Sequence, residues 1–134
     1  MLEIHGGVQG DDRNNSYVWI PSLETVIAGD LTYRGVHVRT AETKAADRKA
    51  WRKTLDEVAA RKPTVVVAGH KDPKLDTSTA GIDQTRQYRE AFDAAVASSE
   101  NADEIQAKVK AKYGALQLDL ILELGAEAQF AKWP

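Results

Sequence analysis

Cysteine does not occur in the 134 residues, which removes disulfides and thiol catalysis and is compatible with a cytoplasmic location. No hydrophobic run approaches the length of a membrane span. The start, MLEIHGGVQGDD, has no basic region followed by an apolar stretch, so no targeting signal is visible. Neither sign of charge dominates: 18 basic residues face 20 acidic ones, for a net charge of −2. Such a balance supplies no global field to recruit nucleic acid or an anionic membrane, and neither is expected as a partner. Histidine is scarce, at His5, His37 and His70 only. What is present, 43% hydrophobic and 28% charged residues, describes one soluble globular domain over 1–134 with enough apolar material for a single core.

The organising stretch is SYVWIPSLETVIAGD, from Ser16 to Asp30. Two short apolar runs, Tyr17 to Ile20 and Glu24 to Ala28, flank Pro21-Ser22 and predict a hairpin. The second run stops on Ala28-Gly29-Asp30, and the pattern returns in TVVVAGH, where Thr64 to Ala68 closes on Gly69-His70. Successive apolar residues fit strands covered on both faces. Gly29 and Gly69 allow a sharp turn or a close approach, leaving Asp30 and His70 at a strand edge. A carboxylate and an imidazole are ordinary zinc or iron ligands. The plainer reading is a hydrogen-bonded turn Asp and a capping or core His.

The order IPSLETVIAGDLTYRGVHV, a helix carrying Trp51, PTVVVAGHKDP and a helix with TRQYREAF resembles the C-terminal half of a metallo-β-lactamase-fold hydrolase over roughly residues 8 to 113. The resemblance implies an α/β fold, half of an αββα sandwich, in which a small mixed β-sheet is covered by three to four helices. It implies that Asp30 bridges two metal ions and His70 binds the second, and that Tyr33 and His37 shape a substrate pocket. It departs from this chain in two places. The family's HxHxDH cluster is missing, and a further family His falls at Gln9, a poor ligand. His5, four residues earlier, substitutes only if its loop is rebuilt.

Along the rest of the chain, Met1 to Ile4 reads as a short strand interrupted by Gly6-Gly7, and Gly10 to Asn15 as a loop in which Asp11-Asp12 is a solvated turn or a metal-supporting pair. Leu31 to Val38 is expected as an irregular lip, with His37 either half-buried or a site residue. Thr43 precedes a helix with Trp51, Leu55, Val58 and Ala59 on one stripe, ended by Pro63. Lys71-Asp72-Pro73 reads as a loop; Lys71 either meets an anionic substrate or is a solvated charge. A helix over 78–99 turns Ile82, Tyr88, Phe92, Ala95 and Val96 inward, with Arg86/Glu90 and Arg89/Asp93 as outward pairs. Asn101 and Glu104 read as a capping pair for a helix with Ile105, Val109 and Tyr113, stopped by Gly114. Leu116 to Trp133 is apolar on nearly all sides and needs partners on more than one face.

Two well-matched ligands fall short of the three that an open catalytic zinc site uses, so any zinc is expected to bind weakly. The favoured reading is a stand-alone half that does not catalyse by itself and serves as a binding or assembly module. The alternative is a hydrolase of esters, amides or thioesters completed by a second chain that carries the missing half. In the complete family fold a second sheet packs on the first. A homodimer, each copy covering the other's sheet, is the expected remedy for its absence.

Overall fold

A computed structural model describes residues 1–132, and Trp133, expected to extend the last apolar run, lies outside them. The chain runs β1 (Glu3–Val8), β2 (Asn15–Ile20), a 3-10 turn at Pro21–Leu23, β3 (Thr25–Arg34), α1 (Ala45–Ala60), β4 (Val65–Lys71), α2 (Ala80–Ala97), α3 (Ala102–Tyr113) and α4 (Asp119–Ala128). The four strands form one mixed sheet in the order β1-β2-β3-β4. The β1/β2 and β2/β3 pairs are antiparallel; β3 and β4, joined through α1, are parallel. This is the expected α/β fold, a small mixed sheet covered by helices.

The strands do not have two covered faces. Burial alternates along them: Trp19, Val26, Ala28 and Val66 are buried, while Ile27 is 44% and Val67 38% exposed. The inner face packs against α1 and α2, α3 packs on α2, and α4 on α3. Trp51, Leu55 and Val58 of α1, Ile82, Tyr88 and Phe92 of α2, Ile105 and Val109 of α3, and Leu122 of α4 join the same core. The β-branched runs that read as doubly buried have one dry face and one open face, because nothing in the described chain covers the second.

Four further expectations are corrected. Gly6-Gly7 do not interrupt β1; the strand continues through them with a register shift between His5 and Val8, and Gly7, at φ 67°, makes the bulge. Leu31 to Val38 is not a lip but interior. Leu31 to Arg34 complete β3, and Val36, His37 and Val38 are buried because Gln84 and Gln117 hold the backbone of Gly35, Val36 and His37 from two sides. Arg89 does not face outward: it is 7% exposed and shares Asp93 with the buried Arg48, at 2.8 and 2.5 Å, which ties α2 to α1. Arg86 reaches Asp56 of α1 rather than Glu90. At the C-terminal end Gln117 bridges to Val36, so the last helix starts only at Asp119. The Asn101 cap forms, its side chain accepting from the Glu104 N–H at 3.0 Å, while Glu104 reaches back to Glu100.

Helix α4 packs through Leu122, Gly125 and Ala126 and leaves Leu120 and Leu124 exposed. At Gly125 a Cβ would run into the buried Thr40 hydroxyl and meet the Phe92 ring at 3.8 Å. Helix propensity alone favours alanine there by about 1 kcal/mol, but overpacking a site that cannot give costs about 1–3 kcal/mol. Gly125→Ala is therefore expected to lower the melting temperature by a few degrees. A rise in Tm in calorimetry would show that Thr40 yields.

Candidate functional site

The parallel pair β3/β4 is irregular where it matters. The register shifts between Ile27 and Gly29, and again before Tyr33, which pairs with His70. Gly29 is in the left-handed region at φ 52°, and a Cβ on Gly69 would lie 2.5 Å from Asp30 Oδ1 and 2.6 Å from the Gly29 carbonyl. Only glycine fits at 69. Through that gap Asp30 Oδ1 comes within 3.2 Å of His70 Nε2, both side chains about half exposed. The two sequence motifs thus meet in space.

Tyr33 lies flat on the His70 ring, centroids 5.3 Å apart, and meets Trp51 edge-on at 6.3 Å. Its hydroxyl donates to Asp11 Oδ2 at 2.8 Å, and Asn15 donates to Asp11 Oδ1 at 3.1 Å. Asp11 is accordingly no solvated turn residue: it is 2% exposed. Burial pushes its carboxyl above the usual range, against the opposing effect of the two hydrogen bonds, and the nearby Asp30 charge pushes the same way. The same burial, with Asp11 beside it, raises the Tyr33 hydroxyl.

Tyr33, His37, Arg39 and His70 line one cavity of about 370 Å³ with Leu118, Leu120 and Ile121. It opens beyond the carboxyl ends of β3 and β4, where ligands bind in open α/β sheets. His37 is fully buried; its Nδ1 lies 2.9 Å from the Tyr88 hydroxyl, its Nε2 3.4 Å from Asp119, and desolvation lowers its pKa against the opposing pull of Asp119. Arg39, half exposed, stands 3.3 Å from Glu42 and 3.9 Å from Asp11. Lys71 is not among the lining residues. It belongs to the end of β4, and its ammonium donates to the carbonyls of Leu75 at 2.5 Å and Asp72 at 3.1 Å, so it fastens the following turn.

Sequence reading missed Asp11, Arg39 and the trio Leu118, Leu120 and Ile121. Asp11 is disguised by turn composition; the aliphatic trio was read as core or partner surface.

The donor set does not match a catalytic zinc centre. Asp30 and His70 supply two ligands, and among the described residues no three His, Asp or Glu side chains gather as a metal would require. His5 is spent elsewhere, stacked on Tyr17 and bonded to Glu3 and Arg61, and Gln9 bonds the Gly10 carbonyl. No model of a known protein family matches the chain, and no curated protein matches it. The likeness to the metallo-β-lactamase fold rests on the motifs alone.

Asp11 gives a pH test. A carboxyl whose pKa is raised by folding contributes stability below its unfolded value, near 3.8, and loses it as pH rises through the folded value. Asp11→Asn keeps polar partners for Tyr33 and Asn15 without that titration. The Tm of the variant minus that of wild type should increase from pH 4 to pH 7. A difference that is flat or falls over that range would contradict the assignment.

Proposed function

We propose that this chain is a self-associating binding and assembly module, a stand-alone domain similar to one half of a metallo-β-lactamase sandwich, which does not catalyse by itself. The observation that carries the reading is the composition of the open sheet face. Ile4, Val18, Ile27 and Val67 are paired in register across all four strands and form one apolar row, with Ile4 72% exposed. The adjacent row, two residues along each strand, is Leu2, Ile20, Thr25 and Val65. Eight neighbouring positions thus hold seven aliphatic side chains, one threonine and no charge. Water-exposed apolar faces of this kind mark interfaces.

The occupant that fits is a second copy. A face without charge selects no oppositely charged partner, whereas two identical twisted apolar sheets pack face to face about a two-fold axis. With strands about 4.8 Å apart and residues about 3.3 Å apart, the two rows cover roughly 15–20 Å across the strands and about 10 Å along them, below the standard size of a stable interface and in the range of weak, transient ones. A dimer of micromolar affinity is the expectation. Light scattering coupled to size exclusion should give a dimer at about 100 µM that dissociates on dilution, and Ile27→Lys, a change at an exposed position, should leave a folded monomer. A wild-type monomer at that concentration would overturn the proposal.

A second reading, a hydrolase half completed by another chain, draws on the meeting of Asp30 and His70 at 3.2 Å. On the favoured reading, protein dialysed against a chelator retains far less than one equivalent of zinc or iron, and neither Asp30→Ala nor His70→Ala changes ester hydrolysis. A full equivalent of metal, lost in both variants together with a measurable hydrolysis rate, would favour the second reading.

A further inference from the structure

The cavity beyond β3 and β4 is not explained by self-association through the sheet face. Its volume, about 370 Å³, lies in the range of small-molecule sites, and its walls are unevenly divided. Leu118, Leu120 and Ile121 make one side wholly aliphatic. Leu118 is held at φ 66°, ahead of α4, where the Gln117 backbone is bonded to Gly35 and His37, so these aliphatic residues are tied to the segment that follows β3. The remaining lining residues are the three nitrogen-bearing side chains His37, Arg39 and His70 and the Tyr33 ring.

Among the described residues, no carboxylate lines the cavity. The acidic groups Asp11, Asp30 and Asp119 approach Arg39, His70 and His37 at 3.9, 3.2 and 3.4 Å. Of the three, Arg39 is the one with donors to spare. Its guanidinium carries five N–H groups. Glu42 accepts from one nitrogen at 3.3 Å, and the 3.9 Å approach to Asp11 is longer than a hydrogen bond. The group is 46% exposed, so it can turn a planar fork toward a ligand oxygen without first giving up a tight pair. His70, 51% exposed and stacked on Tyr33, stands beside it at the same cavity with its Nε2 turned to Asp30.

We propose that this cavity binds a small amphipathic carboxylic acid, its carboxylate held by Arg39 with His70 beside it and its hydrocarbon part lying along Leu118, Leu120 and Ile121. The aliphatic wall supplies affinity through burial, and the cation selects the acid over a neutral molecule of the same shape. Binding requires neither metal nor the second copy, since every lining residue belongs to one chain.

The test uses methyl- and amide-detected NMR titration of the intact protein with octanoate below its micelle concentration, and with octan-1-ol as the neutral analogue. Each is run on wild type and on Ile27→Lys, so that the result is independent of sheet-face association. Octanoate is expected to shift the methyls of Leu118, Leu120 and Ile121 saturably in both proteins. Arg39→Gln should weaken octanoate about tenfold, as expected for one charge-assisted hydrogen bond, and leave octanol unchanged. Leu120→Glu, at a position exposed in the free protein, should weaken octanoate more than octanol. Equal octanoate affinity in wild type and Arg39→Gln would overturn the proposal. So would octanoate shifts confined to Ile4, Val18 and Val67, which would place the ligand on the open sheet instead.

Discussion

Tyr33 is the contact on which the arrangement of the site depends. Its hydroxyl is bonded to Asp11, its backbone N–H donates to the Thr85 hydroxyl at 2.9 Å, its edge meets Trp51 and its face carries His70. One residue therefore joins the loop after β1, the central helices α1 and α2, and the end of β4. Trp51 secures the same point from behind, donating its indole N–H to the Leu31 carbonyl at 3.0 Å. The burial that raises both ionisable partners is the cost of this junction. It is offset by the hydrogen bond between them, because an unpaired carboxylate or phenol in that place would be far less favourable.

The elements that could be recognised from the sequence are those whose signal is local. The hairpin around Pro21, the helix stripe of Trp51, Leu55 and Val58, the Asn101 cap and the break at Gly114 each depend on neighbours within one or two turns, and the structure keeps them. What could not be read depends on the partner across space. An apolar run such as VVVA looks the same whether one face or both are covered. The polar segment from Thr32 to His37 looks like a lip because its compensating groups, Thr85, Gln84 and Tyr88, lie about fifty residues away on α2. Arg89 looked solvent-facing for the same reason: its neighbour Arg48 and their shared Asp93 make sense only once α1 and α2 are packed.

The site was legible to a comparable degree. The glycines before Asp30 and His70 announced a close approach, and steric space explains why: the atoms of Asp30 and Gly29 occupy the place where a side chain at 69 would stand. The aromatic and histidine positions Tyr33 and His37 do line the cavity beside His70. Arg39 and the start of α4 carried no recognisable pattern, since a cavity wall assembled from residues eighty positions apart leaves no periodicity to detect.

The bulge in β1 bears on the self-association proposed above. A flat, regular outer strand offers its free N–H and C=O groups to any passing strand, and sheets that grow this way do not stop at two. Here the extra residue at Gly6-Gly7 twists the outer edge out of register, and at the far side of the sheet Val66 N–H is already satisfied by the Thr77 carbonyl at 2.8 Å. With β1 bulged and part of the β4 edge already occupied, growth along the sheet is disfavoured and the open face is the surface left to pair. Association through a face is self-limiting, so the self-association proposed above would end in a closed particle and not a fibre.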